Sequence, residues 1–444
     1  MKDIIQLSDH FTHRRLLRFT LPSMLMMVLT SIYGIVDGFF VSNFVGKNAF
    51  AAVNFIMPFL MIVGSLGFMF GSGGSAYIGK TLGEKKQEKA NEVFSLLILT
   101  TIVCGILIAF VSICLIRPIA LFLGANQVLL EDCVQYGRII LLSLPFLMLQ
   151  YAFSTLVVTA EKPKLGLLIT IVSGLINIFG DALFMAVFHW GVIGAACATA
   201  LGQVLGGMVP LVYFSKKNSS QLHFTKPKWN GFALLKIATN GSSELMSNLS
   251  ASIVGMLYNH QLMKYAGANG VAAYGTLMYV NFIFLAIFMG YSMGVAPVIS
   301  YHYGAQNRTE IKSLLKKCLQ IIACLSILMV LLSESLATNM AKIFVGYDAA
   351  LLKMTVHAFH IYSLSFLFSG TSIFVSGFFT ALNDGLTSAL ISFLRTLVFE
   401  SLSVLCVPLL FGLDGIWFSV VIAESIAIIL SNFFLYKKRE QYLY

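Results

Sequence analysis

Ile32-Tyr33-Gly34-Ile35-Val36-Asp37-Gly38-Phe39-Phe40-Val41 sets one carboxylate, Asp37, inside a run over residues 19–46 that holds no other charged side chain. A run of that length crosses a bilayer, since a spanning helix takes about 20 mostly apolar residues. A carboxylate at such depth costs about 2.5–3.5 kcal/mol on insertion scales, so it is expected to face a bundle interior and to serve function. The same reading applies along the chain, where uncharged runs cover residues 93–116, 139–160, 182–215, 265–307 and 354–383, two of them long enough for more than one crossing. With 58% hydrophobic and 11% charged residues among 444, the chain lies far from the roughly 25% charge of soluble domains. The expected fold class is an all-α polytopic membrane protein.

The breaks between runs place six spans at residues 16–44, 50–79, 93–116, 133–159, 165–189 and 191–214. Six more follow at 234–265, 270–300, 316–338, 354–381, 386–411 and 414–436. The expected organisation is an N-terminal lobe over 1–214, a polar connector over 215–230 and a C-terminal lobe over 231–444. An internal repeat supports the division. Gly46, Ala51-Ala52, Gly73 and Gly83 recur as Gly267, Ala272-Ala273, Gly294 and Gly304, at the constant offset of 221 residues that separates Gly46 from Gly267. The offset persists to Thr159-Ala160, Gly191 and Gly194, which recur as Thr380-Ala381, Gly412 and Gly415. Six helices per repeat give both halves the same orientation, a parallel repeat of the kind found in secondary transporters.

The net charge of +10 comes mostly from short loops and forms no recognition helix, so no nucleic-acid partner is expected. Arg14, Arg15 and Arg18, the Lys80–Lys89 loop, Lys162 and Lys164, the connector, and Lys437 to Arg439 all fall on one side. Basic short loops mark the cytoplasmic face, so both termini are expected there. The first apolar run is too long for a signal-peptide core and has no small-residue cleavage site. Seven cysteines without CxxC spacing indicate neither zinc nor a disulfide frame, the eight histidines have no metal-binding spacing, and no cofactor is expected. Gly71-Ser72-Gly73-Gly74 lacks the Lys of a phosphate loop and reads as close helix packing. No nucleophile and base meet at one depth, so the chain is not expected to be an enzyme.

The second buried acid lies in Asn177-Ile178-Phe179-Gly180-Asp181. Asn177 and Asp181, four apart, share one helix face. Counted from the outer ends of their spans at 1.5 Å per residue, Asp37, Asp181 and Thr199 all lie roughly 12–15 Å deep. Two acids, an amide and a hydroxyl can share a proton, because close like charges favour one neutral carboxyl. They can also offer hard oxygen ligands to a small cation such as sodium. The competing reading is a polar network joining the first, fifth and sixth spans. Across the repeat the four positions become Tyr258, Val398, Leu402 and Val420, so a dedicated site is expected in the first half alone. Arg395 and Glu424 are expected to neutralise one another, Glu244 is a candidate substrate-cavity carboxylate, and Glu400 has no assignment. Pro22 either bends the first span or opens it.

The run Val36 to Gly46 followed by Ala51-Ala52-Val53, with Asn177-Ile178-Phe179-Gly180-Asp181 followed by Gly191-Val192-Ile193-Gly194-Ala195-Ala196, resembles multidrug and toxic compound extrusion (MATE) transporters over essentially the whole chain. The resemblance implies two lobes around a central cavity, alternating between inward-open and outward-open forms. It implies export of organic, often cationic, small molecules driven by sodium or protons in a bacterial cytoplasmic membrane. A monomer in contact with membrane lipid is expected. Within the family the chain resembles the DinF-like and MepA-like bacterial branch, whose first-lobe cation site matches Asp37, Asn177, Asp181 and Thr199. Bending of the first helix in that branch maps to Pro22. NorM-like members use an acid on the tenth helix, which residues 354–381 lack, although Glu244 matches their seventh-helix acid approximately. A lipid or lipid-linked saccharide flippase of the same superfamily is the alternative, and it would need a more basic cavity.

Overall fold

In hydrocarbon every backbone N–H and C=O needs an internal partner, which only helices or closed barrels supply. The computed structural model describes residues 5–125, 127–442 and 444, and among them the regular structure is helical, without a strand. In order these are α1 His13–Phe40, α2 Lys47–Gly83, α3 Gln87–Leu123, α4 Gln127–Leu142, α5 Leu144–Thr159, α6 Pro163–Asp181, α7 Gly191–Ser215, α8 Gly231–Gly304, α9 Arg308–Val345, α10 Ala349–Tyr362, α11 Phe366–Ala381, α12 Gly385–Phe393, α13 Glu400–Cys406 and α14 Pro408–Tyr442. Three π-helical stretches extend α1 over Val41–Val45, α6 over Ala182–Val187 and α12 over Leu394–Phe399. Among the described residues ten helices are long and apolar enough to cross a membrane, eleven when α4 and α5, bent by 57° between them, count as one crossing. Helix α8 has 74 residues and breaks at Gly267, with φ 60° and ψ −150°, so it crosses twice and the total is twelve.

The spans run longer than hydropathy alone gives. The third covers Gln87–Leu123 and the ninth Arg308–Val345, because these helices carry charged ends past the apolar run, and some are capped there by a side chain. Thr12 accepts from Arg15 N at the start of α1 and Asn307 from Glu310 N at the start of α9. Pro22 does not open a helix. α1 begins nine residues earlier and continues through it.

The repeat is one of backbone conformation as well as residue identity. Left-handed φ values occur at Gly46 and Gly267, at Gly191 and Gly412, and at Lys85 and Gln306, three pairs with the same offset. The last pair shares no side chain, so the turn itself recurs.

Helix α2 packs on α3, α4, α5 and α8. Its glycines divide the work. A methyl added at Gly71 would lie 2.8 Å from Ala152 Cα on α5, one at Gly74 would run into Leu97 on α3, and one at Gly73 into the Ile237 carbonyl on α8. Small residues at such crossings let backbones approach where lipid supplies no hydrophobic drive. The outer surface is the converse. Phe110, Phe179 and Leu386 are 69%, 70% and 82% exposed, an apolar belt that only lipid can cover.

The described ends of the chain lie on one side, where Leu7 N bonds Glu161 and Tyr442 meets Tyr303 edge-on. There the halves close on each other through repeat-related contacts: Gly83 against the Tyr301 carbonyl and Gly304 against the Lys80 carbonyl, Gly73 against Gly241 and Gly294 against Thr20. Toward the opposite side they part. Ser31 Oγ still reaches the Phe282 carbonyl at 3.4 Å, but Gly34 and Gly255, again a repeat pair, have nothing within 4 Å. The close glycine contacts that join the halves near the described chain ends are therefore not repeated on the opposite side.

Candidate functional site

Glycines also draw together the three helices that carry the first-half polar residues. Gly174 on α6 seats the ring of Tyr33 from α1, while Gly202 on α7 lies against the Ser173 carbonyl and Asn177 Cβ of α6. At that junction Thr199 Oγ1 donates to Asp37 Oδ1 at 3.4 Å, and Asn177 Nδ2 donates to Thr199 Oγ1 at 3.5 Å. Asp37 is 7% exposed and Asp181 fully buried. Neither carboxylate oxygen of Asp181 meets a hydrogen-bond partner among the described residues, although Asp37 is its charged neighbour. The structure thus brings Asp37, Asn177, Thr199 and Asp181 together. It adds Tyr136 of α4, a buried phenol whose polar neighbours are Asp37, Asp181 and Thr199. A tyrosine near a span end gives no distinguishing signal in sequence, and it was not a candidate.

Two of the π-helical stretches flank this group, one beginning four residues after Asp37 and the other directly after Asp181. Such bulges are rare and gather at functional sites. The hydrogen bonds at 3.4–3.5 Å are long, and one acid is unsatisfied, so the group holds spare acceptor capacity. That capacity suits a proton shared between the two carboxyls or a small hard cation ligated by their oxygens.

Glu244 stays apart from this group. It lies half-buried on α8, one turn from Gly241 where α8 crosses α2, and no side-chain partner is found for it among the described residues. Pro22 is buried within α1 at the closed end.

The second half departs from its expected blandness. Arg395 grips Glu424 with Nε at 2.9 Å from both carboxylate oxygens and Nη2 at 2.6 Å from Oε1, the expected pairing. Beside it stand Glu400, Tyr258, Tyr274 and Tyr362. Tyr258 is the repeat partner of Asp37, so an ionic cluster occupies the equivalent place although Val398, Leu402 and Val420 are aliphatic. Its charges enter from other turns of the same helices, a substitution that position-by-position comparison does not register.

Twelve crossings in two parallel repeats, with buried acids inside the first, define a two-repeat polytopic membrane protein. The MatE family model matches residues 22–183 and again 245–404, and the chain belongs to that family. It is similar to the multidrug export protein MepA of Staphylococcus haemolyticus (strain JCSC1435), 27% identical over 446 residues that cover 99% of this chain and 97% of that one. MepA of Staphylococcus aureus (strain MRSA252) is 26% identical over 432 residues, 96% of this chain and 94% of its own. Among solved structures, a multidrug resistance MATE family transporter of the MOP superfamily in its outward-facing conformation superposes with a TM-score of 0.93 at 21% identity, over 100% of this chain and 99% of that one. A MATE in complex with MaL6 gives 0.94 at the same identity and coverage. These structural likenesses concern the fold.

Proposed function

We propose that this chain is a cation-coupled antiporter that exports organic, often cationic, drugs and toxic compounds by alternating access. In this reading it works as a monomer in a bacterial cytoplasmic membrane with both termini in the cytoplasm. The observation that carries the reading is Asp181, a buried carboxylate with no hydrogen-bond partner among the described residues, beside Asp37, Asn177, Thr199 and Tyr136. Leaving a charge unpaired in hydrocarbon is costly, and a site that only glued helices together would satisfy it. A proton or a sodium ion relieves the cost on arrival, with the Asp37 and Asp181 oxygens as acceptors and the Asn177 and Thr199 oxygens as neutral ligands. Differential affinity of that ion for the two arrangements of the halves then shifts their populations. Residues 13–45 join the site to the closed end, so a change in the helix near Pro22 transmits occupancy to the crossings at Thr20 and Met24. Glu244, on the second half's first crossing, offers a carboxylate to a cationic substrate. The export of drugs by the MepA relatives agrees with this substrate class.

The test is ethidium efflux from proteoliposomes with proton and sodium gradients imposed separately. Asp37→Asn and Asp181→Asn are each expected to abolish gradient-driven efflux while the purified variants keep the detergent melting temperature of the parent. Full efflux by both variants would remove the group from the mechanism.

A further inference from the structure

The cluster in the second half has no role in the mechanism above, and its geometry differs from simple helix glue. Arg395 and Glu424 form a closed bidentate pair with side chains 15% and 7% exposed, so each satisfies the other. Glu400 is left over. It follows Arg395 by five residues, which on an α-helix of 3.6 residues per turn would turn it away by about 140°. Arg395 sits inside the π-helical stretch Leu394–Phe399, which ends just before Glu400, and its i→i+5 closure sets residues five apart nearly one above the other. That single wide turn is what returns the Glu400 carboxyl to the ion pair. Facing it are Tyr258 and Tyr274 of α8 and Tyr362 of α10, along with Arg395 and Glu424. The Tyr258 hydroxyl is fully buried and makes no hydrogen bond of normal geometry, while its ring stacks on Tyr274 at 4.9 Å. The Tyr258 phenol therefore stands beside Glu400 as its side-chain partner, and the one guanidinium nearby is already held by Glu424.

We propose that Glu400 is a second coupling site, specific for a proton, placed in the second half where the repeat puts the counterpart of Asp37. It deepens the coupled-export reading and rests on it. The ligand is a proton rather than a metal cation for two reasons. The fixed guanidinium of Arg395 repels a second cation in the same cluster, and one carboxyl with phenols is a poor match for the set of carboxylate, carbonyl and water oxygens that hard cations take. A proton needs one oxygen. On the open side an O–H bond forms at the Glu400 carboxyl with a hydron from water, which removes a charge that burial penalises. When the halves rearrange the same bond breaks and the hydron leaves to the other side. Tyr258 positions the carboxyl, and the Arg395–Glu424 pair stays intact throughout.

The experiment measures steady-state ethidium ratios across proteoliposomes in sodium-free buffer, with membrane potential clamped by valinomycin and potassium, against an imposed pH difference. Each proton carried per ethidium multiplies the ratio tenfold per pH unit. Glu400→Gln is expected to lower the ratio tenfold per pH unit relative to the parent while transport continues. A folded, transporting Glu400→Gln with the parental slope overturns the proposal, and so does a parent whose ratio does not respond to pH without sodium, a result that leaves sodium-coupled export standing. If Asp37→Asn keeps the parental slope while Glu400→Gln loses one proton, the first-half reading falls and this one stands. Should Glu400→Gln fail to fold, Tyr258→Phe provides the check. It keeps the proton count and is expected to move the pH midpoint of efflux by half a unit or more, and an unmoved midpoint overturns the proposal.

Discussion

Asp181 and Arg395 are two buried charges with opposite consequences for stability. Asp181 is fully buried and unsatisfied, so replacing it relieves a cost. Asp181→Leu is expected to leave the detergent melting temperature unchanged or to raise it, while abolishing gradient-driven efflux. Arg395→Ala does the reverse, since removing one member of a buried bidentate pair strands Glu424 and costs about 3–5 kcal/mol, read as a large fall in melting temperature. A stable Arg395→Ala or a strongly destabilised Asp181→Leu would reverse the assignment of which charge serves function and which holds the fold. Asp37, Asn177, Asp181 and Thr199 were legible in the sequence because a polar group within an apolar run has few economical places to point, and helical rise alone put them at one depth. Tyr136 was not, because a tyrosine is at home in a core, a cleft or an interface. Glu400 was visible as a charge but mute as to partners, since the π-turn that aims it leaves no mark in hydropathy.

Between helices, the segment before α1 and the loop before α12 both act through capping groups at the closed end. Leu7 and Phe11 are fully buried. Leu7 N bonds Glu161 Oε1 at 2.7 Å between α5 and α6, while Phe11 N bonds Glu310 Oε1 at 3.0 Å and His10 Nδ1 meets Glu310 Oε2 at 2.6 Å on α9. This strap ties the first half to the second, and hydropathy could not place it because its apolar residues are too few to form a run. Asp384 caps α12, accepting from Thr387 N at 3.2 Å and Thr387 Oγ1 at 2.8 Å, and pairs with Lys438 at 3.3 Å. Burial pushes its pKa up, but the bonds from Thr387 and Tyr442 and the charge of Lys438 outweigh burial and hold it below 3.8. A carboxylate held low in the fold contributes stability above its ordinary value and loses it as pH falls through the lowered one. Asp384→Ala is therefore expected to cost about 1 kcal/mol at neutral pH, the usual worth of such a cap. The gap to the parent should narrow as melting is followed below pH 3.8, and a gap independent of pH would mean that the carboxylate charge contributes nothing.

The two halves meet through glycines on the side of the termini and separate on the other, and this asymmetry makes alternating access testable without substrate. A methyl at Gly304 would run into the Lys80 carbonyl and one at Gly83 into the Tyr301 carbonyl, whereas methyls at Gly34 and Gly255 meet nothing within 4 Å. Backbone cannot yield as a side chain can, so Gly304→Ala penalises the arrangement in which this end is closed and spares one in which the halves part there. Overpacking of a tight contact costs about 1–3 kcal/mol, and every 1.4 kcal/mol changes a two-state population ratio tenfold. Ser300 is fully buried at this crossing, its Cβ 3.0 Å from where a Gly79 methyl would sit, so a cysteine there reacts with a water-soluble maleimide only when the end opens. With the exposed Cys114, Cys324 and Cys406 changed to serine, Ser300→Cys is expected to label slowly in the parent and at least tenfold faster with Gly304→Ala, at a similar melting temperature. Gly34→Ala, the control at the open end, should leave the rate where it was. The repeat that sequence revealed gives each half the same crossing, so Gly83→Ala should accelerate labelling as Gly304→Ala does. If both glycine variants lower the melting temperature and leave labelling slow, the contact is a permanent seam of the fold, and transport would have to proceed without parting the halves at that end.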